Sequence, residues 1–363
     1  NHRNVHAHLH IFRASDDGPS TAGHSMVGRH LRRNPMRIII SGAAGFIGSH
    51  LADRFCRDGN EVIGLDNLVT ADKRNLQWLS ANHGFKFILH DIINPVAISG
   101  PVDLVCNLAC PASPVDFAPL NIEILRVCSE GTRNMLELAR EKNAVFLHTS
   151  TSEVYGDPKV NPQPESYWGN VNPIGTRSMY DEGKRFAEAM ITAYRSRYSM
   201  KVRIARIFNT FGPRMRIDDG RVVTNFIMQA LAGEPVTMHG DGSQTRSFCY
   251  VSDQVEGLVR LSRCDYDGPI NIGNCDEIPI RRLAEEVIEL TGSRSSLAFK
   301  PLPGDDPKLR RPDITLARKI LGWQPSVPRK EGLEKTIQYC RETVQAIHAA
   351  RNHETGDSAA QWT

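Results

Sequence analysis

The segment Arg37-Ile38-Ile39-Ile40-Ser41-Gly42-Ala43-Ala44-Gly45-Phe46-Ile47-Gly48-Ser49-His50-Leu51 decides the fold. Arg37 to Ile40 reads as a short buried strand. A turn follows in which Gly42, Gly45 and Gly48 recur every third residue. Phe46, Ile47, Leu51 and Phe55 then take up a helical spacing over Phe46–Arg57. A strand turning through glycines into a helix makes an anion site. The glycines let the backbone approach a pyrophosphate, and the helix start offers free N–H groups and a positive dipole end.

Alone, such a glycine pattern also fits a tight turn with no ligand. The next segment weighs against that. Glu61-Val62-Ile63-Gly64-Leu65 reads as a second strand and ends at Asp66. An acid about 20 residues past the glycines accepts hydrogen bonds from adenosine ribose hydroxyls. It would repel a 2′-phosphate, so the expected cofactor is NAD rather than NADP.

The chain has 363 residues, 40% hydrophobic and 23% charged, with a formal net charge of +3. This fits one large α/β domain with a smaller lobe. The charge is too small to argue for nucleic acid or a membrane as partner. No run of eighteen apolar residues predicts a transmembrane helix. The eight cysteines form no CxxC pair and lack the ligand spacing of a zinc site. They read as free thiols in a reducing compartment, the cytoplasm, and no metal is expected. Residues 1–35 carry six histidines and no sustained period, and read as a disordered leader.

Phe85–Leu89 is expected as a third strand, ending near Asp91 and Ile92. Residues 102–109 read as a fourth strand, opening onto the cofactor at Leu108 and Ala109. Residues 122–140 are helical by period, and residues 144–150 form a fifth strand. Strands alternating with helices predict a Rossmann-type, doubly wound parallel sheet with ligands at the carboxyl ends of the strands. The expected partition is a cofactor domain over 36–205, rejoined by 252–275, then a substrate lobe over 206–349 and a tail over 350–363.

Chemistry is expected just past residue 150. Thr151-Ser152-Glu153 follows the fifth strand directly. Tyr180 and Lys184 stand four apart in a helix running to about Tyr198, so they share a face. An ammonium beside a phenol favours the phenolate, which would make Tyr180 a general base. An i,i+4 Tyr/Lys pair is by itself only a solvated helix face. Its place after a nucleotide fold is what gives it weight.

With these segments the chain resembles the extended short-chain dehydrogenase/reductases, of which the GxxGxxG spacing is typical. Among them it resembles the UDP-glucuronic acid decarboxylases. The resemblance covers about residues 36–345. It rests on the segment from Thr149 to Pro158, on Tyr180-Asp181-Glu182-Gly183-Lys184-Arg185, and on the segment from Arg206 to Met215. Further support comes from Asp219-Gly220-Arg221-Val222-Val223, the segment from Gly242 to Phe248, and Arg310-Arg311-Pro312-Asp313-Ile314. Related dehydratases carry Thr-Asp-Glu where this chain has Thr151-Ser152-Glu153, and related 4-epimerases lack the glutamate.

The resemblance implies NAD-dependent oxidation at C4 of UDP-glucuronate, loss of CO2 from the resulting β-keto acid, and reduction to UDP-xylose. It leaves open a sister reaction that releases a 4-keto pentose and NADH, and another epimerase or dehydratase activity. It implies that Tyr180 is the base, Thr151 bonds the reacting hydroxyl and Lys184 orients the nicotinamide ribose. Ser152, Glu153 and Arg310 fall on the carboxylate side.

Cofactor contacts fall on Gly42, Ala44, Gly45, Phe46, Ile47, Gly48, Asp66, Asn67, Asp91, Ile92, Leu108, Ala109 and Arg126, besides Tyr180 and Lys184. Substrate contacts fall on Asn209, Arg214, Arg221, His239, Arg246 and Arg310. A homodimer through a four-helix interface is also implied. Three features depart from the family pattern: Cys128 where asparagine is common, Arg126 where lysine is common, and Pro119-Leu120-Asn121 in place of Tyr-Asn-Pro.

Overall fold

The structure, a computed structural model, describes residues 34–301 and 309–359. The leader up to residue 33 and the last four residues of the tail lie outside the described residues. Seven strands make the central sheet. Six are β1 (Arg37–Ser41), β2 (Glu61–Asp66), β3 (Phe85–Leu89), β4 (Leu104–Asn107), β5 (Val145–Thr151) and β6 (Val202–Ile207). The seventh is Pro269–Ile272. Their spatial order is Pro269–Ile272, β6, β5, β4, β1, β2, β3, and every pairing is parallel. Ile38, Ile39 and Ile40 are fully buried, as a central parallel strand covered on both faces requires.

The chain steps outward from β1 to β3, then crosses back to lay β4 against the other side of β1. That reversal opens a crevice at the carboxyl ends of β1 and β4, where doubly wound sheets bind ligands. The helix Val251–Arg263 returns to this sheet after the substrate segment begins. Its Glu256 pairs with Arg54 of the first helix, α1 (Phe46–Arg57), at 2.7 Å.

Three small sheets lie apart from the central one. Val236–His239 pairs with Leu297–Lys300, and Thr210–Phe211 with Cys249–Tyr250. In the third, Thr245–Ser247 runs antiparallel to Glu277–Pro279 and parallel to the two-residue strand Leu309–Arg310. In that last ladder Arg310 stands opposite Arg246, so both guanidiniums leave the same face.

Four local readings need correction. The helical stretch expected over 122–140 is Asn121–Arg126, then a π-helical turn at Val127–Gly131, then Thr132–Lys142. The wider turn takes in extra backbone without breaking the apolar period, so periodicity does not reveal it. The fourth strand is shorter than expected, at Leu104–Asn107. By residue type Ser252 is the expected cap of the helix Val251–Arg263, yet it lies inside the first turn; Tyr250 occupies the cap position and makes no side-chain cap bond. The last helix runs from Arg329 to Ala359, so the backbone of 350–359 is helical where a tail was expected.

Candidate active site

A cavity of about 870 Å³ opens at the crevice between β1 and β4 and extends toward the small sheets. Its walls include every cofactor and substrate residue expected from sequence except Ala44. Ala44 is fully buried behind the glycine turn. Its N–H donates to Asp66 Oδ2 at 3.0 Å, so it holds the turn rather than facing the cavity.

The glycine turn is forced by sterics. Gly42 has φ +74°, and an added Cβ would lie 2.8 Å from the Ala109 nitrogen. A Cβ on Gly48 would lie 2.0 Å from the Gly42 carbonyl oxygen. Gly45 differs. An added Cβ would meet only the Gly42 oxygen, at 3.2 Å, and would otherwise stand in the open cradle. Gly45 also caps α1 without any side-chain bond, which leaves the first-turn N–H groups available to an anion.

Asp66, at the end of β2, lines the cavity with its carboxylate fixed by the N–H groups of Ala44 and Leu68. Asn67 Nδ2 donates to Asp91 Oδ2 at 3.0 Å, joining the ends of β2 and β3. These donors and acceptors fit a dinucleotide: amides for the pyrophosphate and a fixed carboxylate for a ribose diol.

Tyr180 and Lys184 face the cavity from the helix Ser178–Tyr198. Lys184 Nζ lies 5.9 Å from the Tyr180 ring centroid and donates to the Thr149 carbonyl at 3.0 Å. The Thr151 hydroxyl hydrogen-bonds the phenol, and Phe117 stacks on the Tyr180 ring at 5.1 Å between centroids. Sequence reasoning expects Lys184 to lower the phenol. Its charge does pull that way, but burial outweighs it and pushes Tyr180 up to about 12. Burial also opposes the Lys184 ammonium, yet its partners Cys110 and Tyr180 raise it, so the cation persists.

Beside the phenol lies a cluster of charges. The Arg310 guanidinium, 2% exposed, reaches Glu153 Oε1 and Oε2 at 3.0 Å each. It also donates to Ser152 Oγ at 2.8 Å and to the Gly156 carbonyl at 3.0 Å. Arg177, not anticipated from sequence, reaches Glu153 Oε2 at 3.2 Å. Its signal was present: it precedes Tyr180 by three residues, one helical turn. Burial alone would raise the Glu153 carboxyl, but Arg310 and Arg177 hold it down, at about 2. Next to them Asp181 is 7% exposed, and its Oδ1 has no hydrogen-bond partner among the described residues. Burial first, then the Glu153 charge, push Asp181 up to about 7.

The remaining expected residues differ in availability. Arg221 caps the helix Val222–Ala232 and grips Asp219, while Arg126 pairs with Glu130 at 3.0 Å. The Arg214 guanidinium is turned to α1, 3.1 Å from Asp53 and 3.2 Å from the Ser49 carbonyl. His239 is exposed, and its ring meets the Pro301 carbonyl at 3.0 Å. Asn209 lines the cavity at the end of β6. Among the described residues no cluster of His, Cys, Asp and Glu is arranged to hold a metal ion, and no helix is long and apolar enough to cross a membrane.

A strand, a glycine turn, an acid closing the second strand and a Tyr/Lys pair around one crevice define a class, and the comparisons agree with it. Residues 38–273 match the NAD dependent epimerase/dehydratase family, and the chain belongs to that family. It is 51% identical over 316 residues to UDP-glucuronic acid decarboxylase 1 of Danio rerio, covering 87% of this chain and 75% of the relative. It is 54% identical over 299 residues to UDP-glucuronic acid decarboxylase 5 of Arabidopsis thaliana, covering 82% of this chain and 87% of the relative. Within the family, the chain belongs with the UDP-glucuronic acid decarboxylases.

Solved structures with the same fold include UDP-glucose 4-epimerase from Thermotoga maritima with UDP-glucose. It has TM-score 0.77 and 28% identity, with 85% of this chain and all of that chain covered. Another is UDP-glucuronic acid 4-epimerase from Bacillus cereus with UDP-glucuronic acid and NAD, at TM-score 0.75 and 28% identity over the same shares.

Proposed function

We propose that the protein is an NAD-dependent carboxy-lyase that converts UDP-glucuronate to UDP-xylose through a UDP-4-keto intermediate. The observation that carries this reading is the buried Arg310 guanidinium, which lines the cavity with Tyr180 and donates to Ser152 Oγ and Glu153. A guanidinium there suits a sugar carboxylate, and a C5 carboxylate beside an oxidisable C4 hydroxyl supplies one.

The cofactor would be held by the glycine turn, Asp66, Asn67, Asp91, the Leu108–Ala109 turn and Lys184. A nicotinamide dinucleotide held there would supply the hydride acceptor for oxidation at C4 and the donor for the return reduction. Tyr180 takes the C4 hydroxyl proton and later gives it back, with Thr151 fixing the hydroxyl between them. Burial favours the protonated phenol, so its own proton must first pass to solvent, and Lys184 stabilises the phenolate that then accepts the C4 hydroxyl proton.

A ketone β to a carboxylate lets CO2 leave, because the electrons pass into an enolate. Arg310 stabilises that enolate next to Ser152 Oγ. Glu153 is held ionised and so is not itself the acid that protonates C5. It positions Arg310 and accepts from a water that carries the proton. Asn209, Arg221, Arg246 and His239 are assigned to the UDP moiety, where cations and amides suit a diphosphate. Arg214 acts through α1 rather than by direct contact.

Exposed Ile122, Leu125 and Phe186 on the helices Asn121–Arg126 and Ser178–Tyr198 supply an apolar face for a homodimer. The eight free thiols support a reducing compartment such as the cytoplasm.

The test is incubation with UDP-glucuronate and substoichiometric NAD. Many turnovers yielding CO2 and UDP-xylose are expected. NADH accumulating in step with CO2, beside a 4-keto product, would overturn the redox-neutral reading.

A further inference from the structure

Two cysteines meet at the edge of the cavity, and nothing in the proposed chemistry uses them. Cys110 follows β4 and lines the cavity, while Cys128 is buried within the π-helical turn Val127–Gly131. Their sulfurs are 3.7 Å apart. Cys128 packs beneath Gly183, where an added Cβ would come within 3.2 Å of its Cβ and Sγ. Gly183 lies between Tyr180 and Lys184 on the same helix. We infer that Cys110 and Cys128 form a reversible disulfide, a covalent modification site beside the phenol–amine pair that weakens cofactor binding when oxidised.

The two thiols are unequal, as a site of this kind requires. Contact with the Cys128 sulfur, aided by the Lys184 charge and opposed by burial, moves Cys110 down. Cys128, in the same contact and buried, moves up. Cys110 is therefore the attacking thiolate and is reachable through the cavity, while Cys128 resolves from beneath.

With a peroxide as oxidant, the Cys110 sulfur attacks one peroxide oxygen. The O–O bond breaks, water leaves and a sulfenic acid forms. The Cys128 sulfur then displaces that hydroxyl as a second water. Two thiols lose two hydrogens and two electrons, and one peroxide is reduced to two waters. A low-molecular-weight disulfide reaches the same product by two exchanges, releasing two small thiols.

Closing the gap to bonding distance, about 2 Å, draws the turn after β4 toward the π-helical turn. That turn also carries Ala109, whose backbone lies against Gly42 of the glycine turn. The dinucleotide cradle is thus displaced at the point where its backbone has least room.

The test uses the full chain, treated with stoichiometric hydrogen peroxide or with oxidised glutathione, then alkylated and digested without reduction. The expected results are a linked Cys110–Cys128 peptide and loss of two of the eight thiols. Kd for NAD should rise at least ~10-fold, scaled to a typical coupling between sites, and fall back on adding a dithiol. NAD present during oxidation should protect Cys110. Cys128→Ser should give no linked peptide and a Cys110 sulfenic or mixed-disulfide adduct. Should the wild-type map show only such adducts, or should the linked protein bind NAD as before, the inference is wrong. None of these readouts depends on turnover of UDP-glucuronate.

Discussion

Arg310 and Glu153 meet through paired guanidinium–carboxylate contacts of 3.0 Å, although 157 residues separate them in the chain. The contact joins a carboxylate at the end of the central sheet to a cation from a small outlying one. It sets the charge state of the site, because the arginine keeps Glu153 ionised despite its burial.

Removing one partner should therefore cost more than removing both. Arg310→Ala leaves the Glu153 carboxylate with Arg177 but without its paired contact, and is expected to destabilise the fold by about 3 kcal/mol. Pairing Arg310→Met with Glu153→Gln should recover much of that loss. Urea unfolding of Arg310→Met, Glu153→Gln and the double variant checks this through the coupling energy, and strict additivity would refute it.

Tyr180→Phe keeps the ring stacked on Phe117 and removes only the hydroxyl. Turnover of UDP-glucuronate should fall by about 10²–10⁴, while NAD affinity, measured by titration calorimetry, stays within a few-fold. Near-normal turnover would reject Tyr180 as the base.

Asp181 predicts a pH signature. Burial and the Glu153 charge raise its carboxyl to about 7, against opposing pulls from Arg177 and Arg310. An acid raised in the fold favours folding while protonated. That contribution is full at low pH and is lost as pH rises from the ordinary aspartate range through about 7. Asp181→Asn should therefore change little near pH 4 and gain stability, on the order of 2 kcal/mol, at pH 8. Thermal melts of the two proteins across that range provide the check, and a pH-independent difference would contradict it.

Gly48→Ala sets two magnitudes against each other. Helix propensity favours alanine by about 1 kcal/mol. The new Cβ, however, would sit 2.0 Å from the Gly42 carbonyl oxygen, a backbone atom that cannot swing aside. The clash should win, displacing the glycine turn and reducing NAD binding at least ~10-fold, a loss of about 1.4 kcal/mol. Fluorescence titration with NADH measures it.

The parts of the site legible in the sequence are those made by local geometry. The glycine turn, Asp66 and the Tyr180/Lys184 pair each depend on spacings within one strand–turn–helix unit or one helix. Glu153 was legible as a residue just past β5, and Arg310 only through a family motif. Their pairing was not, because it depends on the register of a two-residue strand that has no hydrophobic period. Arg177 was missed because its role lies in a tertiary contact with Glu153. The fate of the Tyr180 phenol was misjudged for a related reason. A charge four residues away can be read from sequence, whereas the desolvation that outweighs it is a property of the packed cavity.

The short ladder carrying Arg310 divides the labour along the polypeptide. The groups proposed to carry out the oxidation come from the first two hundred residues and would serve any sugar with a hydroxyl in reach. The cation proposed to turn oxidation into carbon–carbon cleavage arrives only with the strand Leu309–Arg310. Replacing Arg310 alone would leave the glycine turn and Asp66 in place yet remove the group assigned to deciding what becomes of the ketone. New chemistry on this scaffold can therefore arise by rewriting a distant strand, with the redox engine left untouched.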